Sequence, residues 1–140
     1  MVEILKKLQG GDLRSIGRAN EVVGDVLDNS SLFGQLFDGM CSKDPVIRMR
    51  AADAVEKVTR SNTDLLVPFK KRLIEEVSQI EQQEVRWHVA QMFPRLDLER
   101  DELERVFQLL LEWIKGSKSN IVKVNSMQSL YDIAIMHPCL

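Results

Sequence analysis

The sequence predicts an all-α chain made of helical hairpins, and three observations predict it. Apolar residues recur at i, i+3 and i+4 along most of the chain, as in Leu32, Phe33, Leu36, Phe37 and Met40. Strand signals are nearly absent: there is no sustained alternation, no Asn-Gly hairpin turn and a single tyrosine. A nine-residue pattern also recurs in steps of 38 and 37 residues, starting at Ile47, Val85 and Val122.

The elements follow in order from start and stop signals. Helices are expected near 2–8, 20–28, 31–41, 45–60, 64–78, 83–95, 100–115 and 120–135. Asn29 to Ser31 and Asn62-Thr63 supply caps for the third and fifth, and Asp44-Pro45 opens the fourth as an N-cap followed by a first-turn proline. Glu99, Asp101 and Glu102 complement the dipole at the start of the seventh, where Asp101 is placed to pair with Arg105. Gly116 reads as its stop, and Pro94 should kink or end the sixth helix.

The recurring segments are Ile47-Arg48-Met49-Arg50-Ala51-Ala52-Asp53-Ala54-Val55, Val85-Arg86-Trp87-His88-Val89-Ala90-Gln91-Met92-Phe93 and Val122-Lys123-Val124-Asn125-Ser126-Met127-Gln128-Ser129-Leu130. Each begins with a β-branched residue followed by a basic one. At ~100° per residue, Ile47, Ala51, Ala54, Val55 and Val58 fall on one stripe, as do Val85, Val89, Met92, Phe93 and Leu96, and Val122, Ser126, Ser129, Leu130 and Ile133. Alanine or serine in the stripe lets a neighbouring helix approach closely, and the larger residues fill the remaining volume.

Helix pairs at this period, with Pro68 inside a first helix and Asp44-Pro45 opening a second, resemble HEAT repeats over about residues 30–135. DPVIRMRAADAV matches that family's second-helix pattern closely, EVRWHVAQMF fairly, and IVKVNSMQSL in degenerate form. The resemblance implies a short right-handed α-α superhelix of about three helical hairpins. As one domain over 1–140, it would have repeats at 30–61, 62–97 and 98–136 and an N-terminal helical cap at 1–29. It also implies a concave face formed by the second helices, and an acid–arginine ladder matched by Asp44, Arg48, Arg86 and Lys123. Gln82 and Ser119 replace the acid at the position of Asp44, which interrupts that ladder.

The composition bounds the function. At 44% hydrophobic and 29% charged residues over 140 positions, the chain can bury a core of its own. A net charge of −2 gives no long-range pull toward nucleic acid or an anionic membrane, and no apolar run approaches the ~18 residues of a membrane span. Cys41 and Cys139 form no grouped pair and read as reduced thiols, so a cytoplasmic location is expected. With two histidines, His88 and His137, and no HExxH, CxxC or EF-hand loop, no metal or cofactor is expected. The carboxylates of DLERDELE could serve acid–base chemistry, but at a helix start they are dipole partners.

What remains is the side of each second helix opposite the small-residue stripe. Met49, Trp87 and Val124 hold equivalent positions there, with Asp53, Glu56, Gln91, Gln128 and Tyr131, while Arg50, His88 and Asn125 run along the stripe's edge. An indole between arginine and histidine is the composition of a docking anchor. Arg48, Met49, Arg50, Arg86, Trp87, His88 and Val124 are therefore the candidate partner-binding residues of a non-catalytic scaffold that takes a protein or peptide. Arg14 and Arg18, in QGGDLRSIGRAN, are candidates for an anion or partner contact; that stretch lacks the GK[ST] and GxGxxG of phosphate loops. Trp113 reads as core, and the 70–72 basic run as solvated surface. The unpolar end IAIMHPCL leaves a second copy as a candidate partner through the C-terminal repeat. The alternative is nucleic-acid binding or repair of the HEAT-like alkylpurine DNA glycosylase type, with Arg48, Arg50, Arg86, Lys123 and Trp87 on a basic face near Asp53. The net negative charge and Glu56 argue against it.

Overall fold

In a computed structural model, which describes residues 3–10 and 18–138, the periodicity becomes eight α-helices with no strand among the described residues. They are α1 (Glu3–Lys6), α2 (Ala19–Asp28), α3 (Phe33–Gly39), α4 (Pro45–Ser61), α5 (Lys70–Glu75), α6 (Gln83–Met92), α7 (Arg100–Gly116) and α8 (Asn120–Met136). No helix among the described residues is long and apolar enough to cross a membrane. Gly10 adopts φ +79°, a left-handed conformation that glycine enters without a Cβ clash. Arg14 and the rest of residues 11–17 lie outside the described residues, as does Cys139.

Local chemistry explains most boundaries. The Asp44 carboxylate accepts from Val46 N–H at 2.9 Å ahead of Pro45, and the Ser119 hydroxyl accepts from Val122 N–H at 3.3 Å to start α8. At α7 the Glu102 carboxylate reaches back to accept the Glu99 N–H at 2.8 Å. Two expectations differ from the structure. The helix expected over 64–78 is a 3-10 stretch, Thr63–Phe69, leading into the short α5, because Pro68 has no N–H to give an α-helical ladder. Asp101 and Arg105 do not pair; Glu102 is the acid of that turn that finds a cation, meeting Lys70 Nζ at 2.9 Å. Lys70 also donates to the Asp97 carbonyl at 2.8 Å, so the basic run contributes a tie between α5 and the start of α7. Pro94 acts as expected: α6 stops at Met92 and a 3-10 turn, Phe93–Arg95, follows.

The chain divides into two compact units, Met1–Leu65 and Leu66–Leu140. In the first, α4 packs against both α2 and α3, and α3 against α1. Ala51, Ala52 and Ala54 are fully buried, and the approach of α3 is close: a Cβ added at Gly39 would come within 2.8 Å of Leu5 Cδ2 and 3.0 Å of Ala51 Cβ. Arg50 is 1% exposed and donates through Nη1 to the carbonyls of Leu8 and Gln9, at 2.9 and 3.1 Å. A buried guanidinium needs such acceptors, and these hold the turn after α1 onto α4. Lys7 adds ion pairs to Asp25 (2.6 Å) and Glu21 (3.0 Å) of α2.

In the second unit α8 packs against α6 and α7, with Val122, Ser126, Ser129 and Ile133 buried along its inner side. Trp113 is 4% exposed and stacks on Phe93, with centroids 5.9 Å apart and planes at 17°, so it belongs to the core. The buried hydroxyls of Ser126 and Ser129 have no hydrogen-bond partner.

Two predictions concern the first unit. Gly39→Ala should destabilise it by about 1–3 kcal/mol, since Leu5 and Ala51 must give way; an unchanged melting temperature would show that the two helices are not in close contact. Hydrogen bonds from Arg18 and then Lys7 hold the Glu21 carboxyl down at about 2, from an ordinary 4.5. A carboxyl depressed in the folded state stabilises above its unfolded value and loses that contribution as pH falls. Stability supplied by Glu21 should therefore fade between about pH 4.5 and 2, and Glu21→Gln should flatten acid unfolding in that window.

Candidate functional site

The small stripe of each second helix points into the core, so the candidate residues lie on the helix flanks and the side opposite. The three equivalent positions fare differently. Met49 is 8% exposed, Trp87 is half-buried, and Val124 is 60% exposed. Solvent exposure was expected at Met49 and Glu56, and the structure differs: both are buried, on a helix that packs against α2 as well as α3. Glu56 is 2% exposed and forms a two-point ion pair with Arg60.

The edge row, Arg50, His88 and Asn125, bonds to main-chain oxygens. Arg50 takes the carbonyls after α1, and Asn125 Nδ2 donates to the Ile121 carbonyl at 2.9 Å. His88, 8% exposed, places Nδ1 2.5 Å from the Glu84 carbonyl, and its Nε2 lies 3.2 Å from Trp87 Nε1. Both contacts are satisfied by one tautomer: Nδ1–H donates to Glu84, and the bare Nε2 accepts the indole N–H. Trp87 is thereby held at its ring edge beside a histidine that is itself fixed. Arg48 is likewise committed in part, donating from Nη1 to the Ser42 carbonyl at 2.9 Å, and Arg18 pairs with Glu21 at 2.7 and 2.8 Å.

In the second unit α6 and α8 lie side by side, joined on their flanks by Gln91 Nε2 donating to Asn125 Oδ1 at 3.1 Å. Beyond this pair, α8 presents Ile121, Val124, Met127, Tyr131, Ile135 and Met136, each 50–63% exposed. Val124, Met127, Tyr131 and Ile135 sit opposite the buried Val122, Ser126, Ser129 and Ile133 on the ~100° wheel. α8 is thus apolar on both sides, and its only Asp, Glu, Lys or Arg residues are Lys123 and Asp132. Val124, Gln128 and Tyr131 were legible as an exposed set from the repeat, and Ile135 and Met136 as part of the unpolar end IAIMHPCL; Ile121 and Met127 were not, although the shortage of charge along α8 signals them.

At the N-terminal ends of these helices an open pocket of about 620 Å³ is lined by Glu81, Gln83, Arg86 and Gly116 to Ser119. Arg86 lies half-buried with its guanidinium 5.3 Å from the centre of the Trp113 ring, a cation–π arrangement. Its Nε is buried and has no hydrogen-bond partner. Burial lowers its proton affinity from the ordinary arginine value, and the more distant charges of Glu81 and Glu112 oppose the shift. Among the described residues, no cluster of three or more His, Cys, Asp or Glu side chains is placed to hold a metal ion.

The histidine geometry is testable. A long-range ¹H–¹⁵N spectrum should show neutral His88 protonated at Nδ1, and Trp87→Phe should cost about 0.5–1.5 kcal/mol by removing the indole donor. An Nε2-protonated ring would mean that the indole contact is not a hydrogen bond. Comparison with protein-family models, curated proteins and solved structures finds no match to the chain.

Proposed function

We propose that the chain is a short HEAT-type solenoid segment that works in the cytoplasm as a non-catalytic scaffold, binding a protein or peptide through the second-helix side of its second unit. The docking surface is the outward side of α8, with Trp87 and Gln91 of α6 flanking it. One observation carries the proposal: four large apolar side chains of α8, Val124, Met127, Tyr131 and Ile135, each 50–63% exposed, stand in water on a helix whose opposite side is already buried. Together they amount to a patch of several hundred Å², roughly the largest that a monomeric protein leaves exposed without use. The arrangement suits an amphipathic helix or an extended apolar segment, with Val124 and Tyr131 at the centre and the polar Gln128–Asp132 pair, bonded at 2.9 Å, at one side.

Site-specific photocrosslinking provides the test. A benzophenone side chain at position 131 should capture a partner in cell extract, and one at the exposed Glu104 of α7 should not. Val124→Asp should abolish capture at 131 while changing stability by no more than ~0.5 kcal/mol, as expected of an exposed position. Equal labelling from 131 and 104, or capture that survives Val124→Asp, would refute the surface.

A further inference from the structure

The chain builds the same turn twice, once with a carboxylate and once without. Before α4, Ser42-Lys43-Asp44 folds so that Ser42 Oγ accepts the Asp44 N–H at 3.2 Å and the Asp44 side chain caps the helix. Before α8, Ser117-Lys118-Ser119 repeats the geometry: Ser117 Oγ accepts the Ser119 N–H at 3.1 Å, and Ser119 is the cap. The two turns differ at the capping residue, where serine stands in place of the acid. Ser119 lines the same pocket as Arg86, a cation partly withdrawn from water, with an unbonded Nε and, among the described residues, no carboxylate within ion-pair distance. The Trp113 ring lies against the guanidinium, which it fixes but does not neutralise. Lys118, exposed on the pocket wall, adds a second positive charge; Glu81, also on the wall, is the single negative one.

From these observations we infer that the pocket formed by Arg86, Ser117, Lys118 and Ser119 is a binding site for a carboxylate, which supplies from outside the negative charge that Asp44 carries at the equivalent turn. A partly buried guanidinium gains more from a bound anion than an exposed one, because the interaction is less screened and planar pairing adds hydrogen bonds. The serine hydroxyls accept from main-chain amides, and each retains a proton to donate to an incoming oxygen. The ligand class is an acidic side chain or a chain-terminal carboxylate. The site does not depend on the apolar side of α8, so either can fail alone.

The experiment is an NMR titration of the ¹⁵N-labelled full chain with sodium glutarate, against sodium chloride at equal ionic strength, with inorganic phosphate as a parallel arm. Saturable shifts confined to Arg86 and residues 117–119 are expected, weakened at least ~tenfold by Arg86→Gln and severalfold by Lys118→Gln. Ser119→Asp places an internal carboxylate in the pocket while keeping a good helix cap. It should abolish glutarate binding and raise the melting temperature, which keeps the test decisive if Arg86→Gln fails to fold. Shifts that track chloride, glutarate affinity unchanged in Ser119→Asp, or tight binding of phosphate alone would overturn the assignment.

Discussion

Close approach of helices through small side chains is the constraint on which the structure depends. Gly39 against Ala51 leaves no room for even one added carbon, and Ala52 and Ala54 are sealed beside them. Ser126 and Ser129 hold the corresponding places on α8. A helix packed on two sides in this way has one side left to offer, and what occupies that side decides its chemistry. On α4 that side is buried at Met49 and Glu56, whereas on α8 it stays open and apolar. Dispersion between well-fitted atoms is small per pair, so the contact works only if the backbones come near enough for many pairs to form.

Electrostatics does a different job in each unit. Lys7 and Lys70 are flexible cations that tie one element to another at the surface, where such links are individually weak and screened by salt. Arg50 and Arg86 are planar cations taken out of water, and their treatment diverges. Arg50 is met by main-chain oxygens and serves the fold. Arg86 is met by an aromatic face and lines an open cavity. Two arginines two places apart in register thus have unlike roles, which residue type alone does not reveal.

Helix positions, caps and the small-residue stripe were legible because they are local: Asp44-Pro45, Pro94 and the spacing of Ala51, Ala54, Val55 and Val58 act within a few residues. The exposure of Met49 and the role of Arg50 were not. A helical wheel locates a helix's own core side but says nothing about a second neighbour, and α2 comes from a segment that follows the repeat poorly. The 3-10 path of Thr63–Phe69 could be suspected from Pro68, but the same proline is compatible with a kinked α-helix. For the site, the Trp87–Val124–Tyr131 side was visible as periodicity. The charge imbalance at Arg86 was not, because the Trp113 ring and the 117–119 turn reach it from distant positions in the chain.

The 3-10 stretch with Pro68 spans the boundary between the two units, and Thr63, Asp64, Val67 and Pro68 within it are exposed. Its short-range bonds involve neither Gly39–Ala51 packing nor the α6–α8 pair. Residues added at Val67-Pro68 would enter on exposed backbone and disturb neither set of internal contacts, so this seam is where the chain should best accept a graft.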